Sequence, residues 1–165
     1  MIRPARPDDV PAILRLVRDL AEYERARDDA IATEEHLGDA LFCSDPAVFV
    51  HVAEYQGEVV GIVTWWLTYS TWTGHHGIFM DELYVDPAAR GRGFGKALLA
   101  TLARICIDRD YSRLEWLVSD WNTPAIGFYE SVGAIPMSDD TAHRLAGNAL
   151  AHLAASGLDA AAVVP

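Results

Sequence analysis

The chain is short of cysteine, of positive charge and of long apolar runs, and each shortage argues against a class of function. Two cysteines, Cys43 and Cys106, occur in 165 residues. No partner motif surrounds either, so a disulfide framework or a cysteine nucleophile is set aside and each reads as a small buried apolar residue. Lysine and arginine total 13 against 24 aspartates and glutamates, a formal net charge of −11. Phosphate repels a protein this acidic, which argues against nucleic acid as a partner and suits a small cationic one. No apolar run approaches the ~18 residues of a membrane span. The start, Met1 to Pro7, lacks the hydrophobic centre of a secretion signal. A cytoplasmic protein with no membrane partner is expected.

What is present is enough apolar material for a full core. With 51% of the residues hydrophobic, residues 1–165 read as a single domain, 155–165 being a frayed tail. A short strand (Ile2 to Ala5) precedes a helix opened by Pro7-Asp8-Asp9, with Asp8 as its cap and Val10, Ile13, Leu14, Val17 and Leu20 on its buried stripe. A second helix runs from Thr33 to Phe42. Strands follow at Val48 to Tyr55 and Val59 to Leu67, joined by a hairpin turn at Gln56-Gly57-Glu58. A loop, Thr68 to Gly77, mixes aromatic and polar residues, and Ile78 to Val85 is the next strand. A helix carrying Leu98, Leu99, Leu102, Ile105 and Cys106 crosses to a strand at Leu114 to Val118, which must lie parallel to its predecessor. A short helix, Ala125 to Ser131, is closed by Gly133. A strand pair is expected around Ile135 to Met137 and His143 to Leu145, then a helical start to the Ala-rich end, Gly147 to Val164.

The stretch from Asp81 to Leu99 organises the rest. It reads as a strand, a glycine-rich turn and a helix, a layout that leaves backbone N–H groups free at a helix N-terminus where the dipole favours an anion. Dinucleotide binding wants G-x-G-x-x-G, but after Gly91 and Gly93 the third position holds Lys96. A nucleoside-triphosphate loop fails too, with Arg90 at its first glycine and Ala97 where a hydroxyl is needed. What remains is Arg90-x-x-Gly93-x-Gly95. This resembles the R/Q-x-x-G-x-G/A signature of the GNAT N-acetyltransferases.

A second element, Asn122-x-x-Ala125-x-x-Phe128-Tyr129, is similar to the segment that lies beside the cofactor in that superfamily. More narrowly, Leu20 to Glu24, Tyr69 to Trp72, Asp81 to Val85 and Trp121 to Tyr129 resemble the diamine (spermidine/spermine-type) and thialysine acetyltransferases. The resemblance implies an α/β (α+β) GNAT fold: a mixed, mostly antiparallel sheet with a splayed parallel strand pair, flanked by helices. It implies acetyl-CoA as co-substrate, its pyrophosphate bound by the backbone of Arg90, Gly91, Arg92, Gly93, Phe94, Gly95 and Lys96. Its arm would pair with the main chain of Leu83, Tyr84 and Val85 and meet Asn122 and Ala125, where some relatives carry a serine. It also implies a homodimer.

Acetyl transfer to an alkyl amine needs a base, because the amine, with a pKa near ~10.4, is protonated at neutral pH. By resemblance Asp81 holds the base position and Glu82 that of a neighbouring aspartate. The order of the two acids is swapped relative to the family, which shortens the first carboxylate and favours a water relay. Adjacent strand residues point to opposite faces, so only one can face the cleft unless the strand bulges. Tyr129 occupies the general-acid position that protonates the departing thiolate. Tyr23, Glu24, Ser70, Trp72, Asp81, Glu82, Glu115, Trp116 and Leu117 match positions that line the amine site, Tyr23 and Trp116 being equally readable as core. Ser70 replaces an aspartate of the diamine enzymes, which leaves lysine-like amines open beside polyamines. His75-His76 lacks further ligands at metal spacing and reads as a solvated loop; no metal is expected. The expected function is transfer of an acetyl group to a small cationic amine by direct attack. A protein or peptide N-acetyltransferase and a non-catalytic acyl-CoA sensor are the rivals.

Overall fold

The computed structural model describes residues 1–156, which fall into two compact units, residues 1–118 and the stretch from Ser119 on. The frayed tail expected at 155–165 lies, from residue 157, outside the described residues.

The first unit is a five-stranded sheet in the order β1-β2-β3-β4-β5 with three helices. Its elements are β1 (Ile2–Pro4), α1 (Val10–Tyr23), α2 (Glu34–Phe42), β2 (Phe49–Tyr55), β3 (Glu58–Ser70), β4 (His75–Val85), α3 (Phe94–Asp108) and β5 (Leu114–Trp116). The first four strands pair antiparallel and β4 pairs with β5 in parallel. This is the mixed, mostly antiparallel sheet expected from the sequence. The β2–β3 turn is set by Gln56 and Gly57, with φ of 54° and 85°, the left-handed pair that a two-residue hairpin needs.

Alternation along the strands divides the core between two faces. Val50, Val52, Ile62 and Tyr84 pack with Ile13 and Leu16 of α1 and Leu41 of α2. Their neighbours Ala53 and Val63 are equally buried and must face the other side, where α3 packs on β2, β3 and β4 and buries Leu98 and Leu102. Each such aliphatic side chain contributes about 1.5–3 kcal/mol by leaving water.

Several expectations are corrected. Asp8 does not cap α1: the helix is entered through a 3₁₀ turn, Pro7–Asp9, and it is Asp9 that accepts the Arg6 N–H at 2.7 Å. Arg3 supplies the reason, because its guanidinium grips both Asp9 oxygens, at 2.6 and 2.9 Å, and holds that carboxylate in place. Cys43 is exposed just beyond α2, while Cys106 is buried. The expected loop 68–77 is a continuation of the β3–β4 hairpin to Ser70 and His75, turning through Thr71 to Gly74. His75 and His76 therefore open a strand. His76 Nδ1 lies 3.2 Å from Thr68 O and its ring meets Tyr69 edge-on at 5.0 Å.

The second unit holds α4 (Thr123–Ser131) and α5 (Gly147–Ser156). Asn122 caps α4, its side-chain oxygen accepting the Ala125 N–H at 3.3 Å, and Gly133 follows it with φ of 91°. The strand pair expected at 135–137 and 143–145 is absent: no residue from 134 to 146 is in a strand. Ile135, Met137 and Leu145 are exposed, so their apolar side chains gain nothing from pairing, and Pro136 has no N–H to offer a ladder.

Candidate active site

The site begins with an irregularity in the sheet. Trp65 pairs with Met80 and Val63 with Leu83, so the single residue Thr64 opposes both Asp81 and Glu82. This is a β-bulge, and it removes one step of alternation. Both carboxylates fall opposite Thr64, on the α1 face with Ile62 and Tyr84. Sequence alternation alone allowed only one of them there. Thr64 secures the arrangement: its Oγ1 accepts the Glu82 N–H at 3.1 Å and donates to Glu82 Oε2 at 2.5 Å.

Electrostatics follow from that placement. Burial pushes the Glu82 carboxyl up, the Thr64 hydroxyl pulls it down, and the charges of Asp81 and Glu24 push it up again. Glu24, immediately after α1, thus acts on the same site. Asp81 is exposed at the surface, yet partial loss of water around its carboxyl raises its pKa also. Carboxyls held above their ordinary range keep a proton to higher pH.

Beyond the carboxylates, β4 loses its parallel neighbour. β5 pairs with β4 only from Ile78 to Met80, so on that side the backbone of Asp81 to Val85, including Leu83, Tyr84 and Val85, has no strand partner among the described residues. Next in the chain, Asp86 caps a 3₁₀ turn through the Ala88 N–H at 2.9 Å. The glycine turn then reaches α3. Gly91 and Gly93 have φ of 74° and 83°, and a Cβ on either would meet nothing within 4 Å. They are required for backbone shape, and the space in front of them is open. Helix geometry leaves the first N–H groups of α3, from Phe94, Gly95 and Lys96, without internal acceptors. Free N–H groups at a helix N-terminus favour an anion.

The arginines of the turn are braced inward. Arg90 Nε donates to Val85 O at 3.0 Å, with its guanidinium 5.5 Å from the Tyr84 ring and 5.7 Å from that of Tyr23. Arg92 lies 5.0 Å from the Tyr55 ring, and Phe94 packs on the same ring at 5.7 Å. Lys96 is exposed on the first turn of α3.

The remaining expected residues divide into four groups. Tyr23 and Glu24 join the carboxylate face, through Arg90 and through the field on Glu82 respectively. Glu115 and Trp116 pair beside Phe79 and Met80. Glu115 is paired with Arg113 at 2.6 Å, while Leu117 is exposed beyond the strand. Ser70 and Trp72 are not brought to the carboxylates. They sit at the far end of the hairpin, Ser70 Oγ accepting the Thr73 N–H at 3.3 Å and Trp72 being 98% exposed. The strand from His75 to Asp81 spans about 20 Å at its ordinary rise per residue. In the second unit, Asn122 is buried and commits its side-chain oxygen to Ala125, and Tyr129 is half-buried with its ring 5.3 Å from Phe128. Sequence reasoning missed Thr64 and Tyr55. The available signal for Thr64 was a single hydroxyl in the otherwise apolar run Val59 to Leu67.

A mixed sheet whose parallel pair opens beside a glycine-rich helix entry, with both carboxylates on β4 of that pair, is the layout of an enzyme that transfers acyl groups, and the match to an acetyltransferase family supports that class. Comparison with known proteins gives the family. Residues 12–134 match the acetyltransferase (GNAT) family, and the chain belongs to it. Thialysine N-epsilon-acetyltransferase of Bos taurus is 37% identical over 147 residues, covering 84% of this chain and 86% of that protein. Spermidine/spermine N(1)-acetyltransferase-like protein 1 of Homo sapiens is 32% identical over 84% of this chain and 21% of that protein. Among solved structures, an integron cassette protein from the mobile metagenome of V. cholerae superposes with a TM-score of 0.80 at 29% identity, covering 94% of this chain and 98% of that one. No helix among the described residues is long and apolar enough to cross a membrane.

Proposed function

We propose that the chain moves an acetyl group from acetyl-CoA to a primary amine of a small cationic substrate, a diamine, polyamine or lysine-like amine. The observation that carries this reading is the placing of Asp81 and Glu82 on one face of β4, with Glu24 at the end of α1 adding its charge, beside the open edge of β4 and the glycine turn. That field suits an ammonium group. The similarity to thialysine and spermidine/spermine-type acetyltransferases supports the same substrate class.

Each residue then has a task. Main-chain N–H groups of the turn from Arg90 to Lys96 hold the diphosphate, and those of Leu83 to Val85 receive the coenzyme's arm as an added strand. When bound, acetyl-CoA supplies an activated thioester carbonyl. Asp81, directly or through one water, takes the proton from the substrate's ammonium, and the freed nitrogen attacks that carbonyl carbon. An amide of the Leu83–Val85 stretch donates to the carbonyl oxygen as it gains charge. The C–N bond forms, the C–S bond breaks, the Tyr129 hydroxyl gives its proton to the leaving sulfur, and the second proton of the acylated nitrogen returns through water to the Tyr129 oxygen, which leaves a neutral amide. No covalent bond to the enzyme is formed. Pairing as a homodimer belongs to the same proposal, and light scattering of the intact chain checks it.

Thiol release measured across diamines, polyamines, thialysine, amino acids and peptides tests the reading. A substrate bearing two or more cationic amines is expected to give the highest kcat/KM, and a preference for peptides overturns the substrate class. Tyr129→Phe is expected to lower kcat by about 10²–10⁴-fold without weakening coenzyme binding. Unchanged turnover removes Tyr129 from its role.

A further inference from the structure

Thr64 is buried, with 6% of its surface exposed, in a strand whose neighbours at 62, 63 and 65 are apolar. A hydroxyl in such a place is costly unless hydrogen-bonded, and valine would present the same shape with no polar atom to satisfy. Both hydrogen bonds of this hydroxyl go to one residue: it accepts from Glu82 N–H and donates to the Glu82 carboxylate. The first bond closes the bulge. The second holds the charge that the bulge brings onto the α1 face.

We propose, on the basis of the amine-acetylating reading above, that Thr64 is a positioning residue of this reaction. Its hydroxyl clamps the Glu82 carboxylate as a fixed anchor for the substrate's ammonium and leaves the exposed Asp81 to collect the proton. The division of labour follows from the surroundings. Among the described residues, the charged groups acting on Glu82 are Asp81 on its own strand and Glu24 after α1, both negative, and the Thr64 hydroxyl favours ionised Glu82 against them. Without it, Glu82 keeps its proton to a higher pH, loses its charge and turns freely about its side-chain bonds.

The full chain carrying Thr64→Val, Thr64→Ser or Thr64→Ala tests this. In carboxyl-carbon NMR without substrate, Glu82 is expected to titrate at higher pH in Thr64→Val than in the wild type and to return in Thr64→Ser. In steady-state assays, KM for the preferred amine is expected to rise about tenfold or more in Thr64→Val, the loss of one hydrogen bond to a charged group, with kcat changed far less. The acid limb of kcat/KM moves to higher pH. Adding Thr64→Val to Glu82→Gln is expected to change KM no further. If valine prevents folding, Thr64→Ala, which also removes the hydroxyl, is read in the same way. A Glu82 titration and amine KM that stay at wild-type values in the hydroxyl-free variants overturn the role of Thr64. So does a folded Thr64→Ser that fails to restore them. A wild type that acetylates no amine overturns the functional reading instead, so the two failures are distinct.

Discussion

Replacing Gly93 by alanine separates the strength of the fold from the capture of the coenzyme. Gly93 has φ of 83° and a Cβ there would touch nothing within 4 Å, so the substitution adds backbone strain and no collision. A left-handed conformation costs an L-residue about 1–2 kcal/mol, and alanine's stiffer unfolded chain returns about 0.4–1 kcal/mol of that. A net loss of about 1 kcal/mol remains, about 2–4 °C in the melting midpoint for a chain of this size. Gly57 supplies the matched control, with φ of 85° and the same empty surroundings, in the β2–β3 turn instead of at the α3 entry. Gly57→Ala should show the same thermal loss. If the turn at Gly93 aims its N–H groups at the diphosphate, Gly93→Ala also loses one or more charge-assisted hydrogen bonds, about 1.5–3 kcal/mol each. Its Kd for acetyl-CoA by calorimetry is then about ten- to a hundredfold weaker, while Gly57→Ala binds like the wild type. Equal coenzyme affinity in the two variants refutes the reasoning.

Asp9→Asn breaks the bidentate pair with Arg3 and is expected to cost about 3 kcal/mol, read by urea denaturation. Arg3 holds the Asp9 carboxyl below its ordinary value, so its contribution is present above the unfolded-state pKa and is lost as pH falls through the depressed one. The wild type should thus lose its advantage over Asp9→Asn on acidification below about pH 4. Glu24→Gln removes one of the two charges that push the Glu82 carboxyl up. Glu82 should therefore titrate at lower pH in this variant, with KM rising more for a dicationic amine than for a monocationic one. An unchanged Glu82 titration places Glu24 outside the site's field.

Much of this architecture is readable along the chain. The strand, glycine turn and helix from Ile78 to Asp108 announce themselves because each depends on residues close in sequence: alternating apolar residues, two glycines at positive φ, and a leucine stripe. The family follows from that stretch. The bulge does not, because it is caused by a residue of another strand; nothing within Asp81-Glu82 says that Thr64, 18 residues away from Glu82, will face both. The hairpin end was misread for a related reason. Tyr69, His75 and His76 are exposed and Ser70 is half-buried, all four being polar or aromatic, and their strand character comes from pairing across the hairpin, with no apolar face to betray it. Residues 134–146 fail in the opposite sense, since Ile135 and Met137 have the composition of a strand but no surface to bury it on. Asp9 outcompetes Asp8 for the helix entry through Arg3, a contact made across the first turn of the fold.

The early departure of β5 leaves the β4 edge from Asp81 to Val85 without a strand partner among the described residues, Val85 O being taken by Arg90 Nε. An edge of that kind invites any extended peptide, a second copy of the same molecule included. Two acidic side chains at its start make self-templating unfavourable, since a like strand laid alongside would bring carboxylates against carboxylates. That pair of charges therefore counts against edge-to-edge polymerisation through this strand.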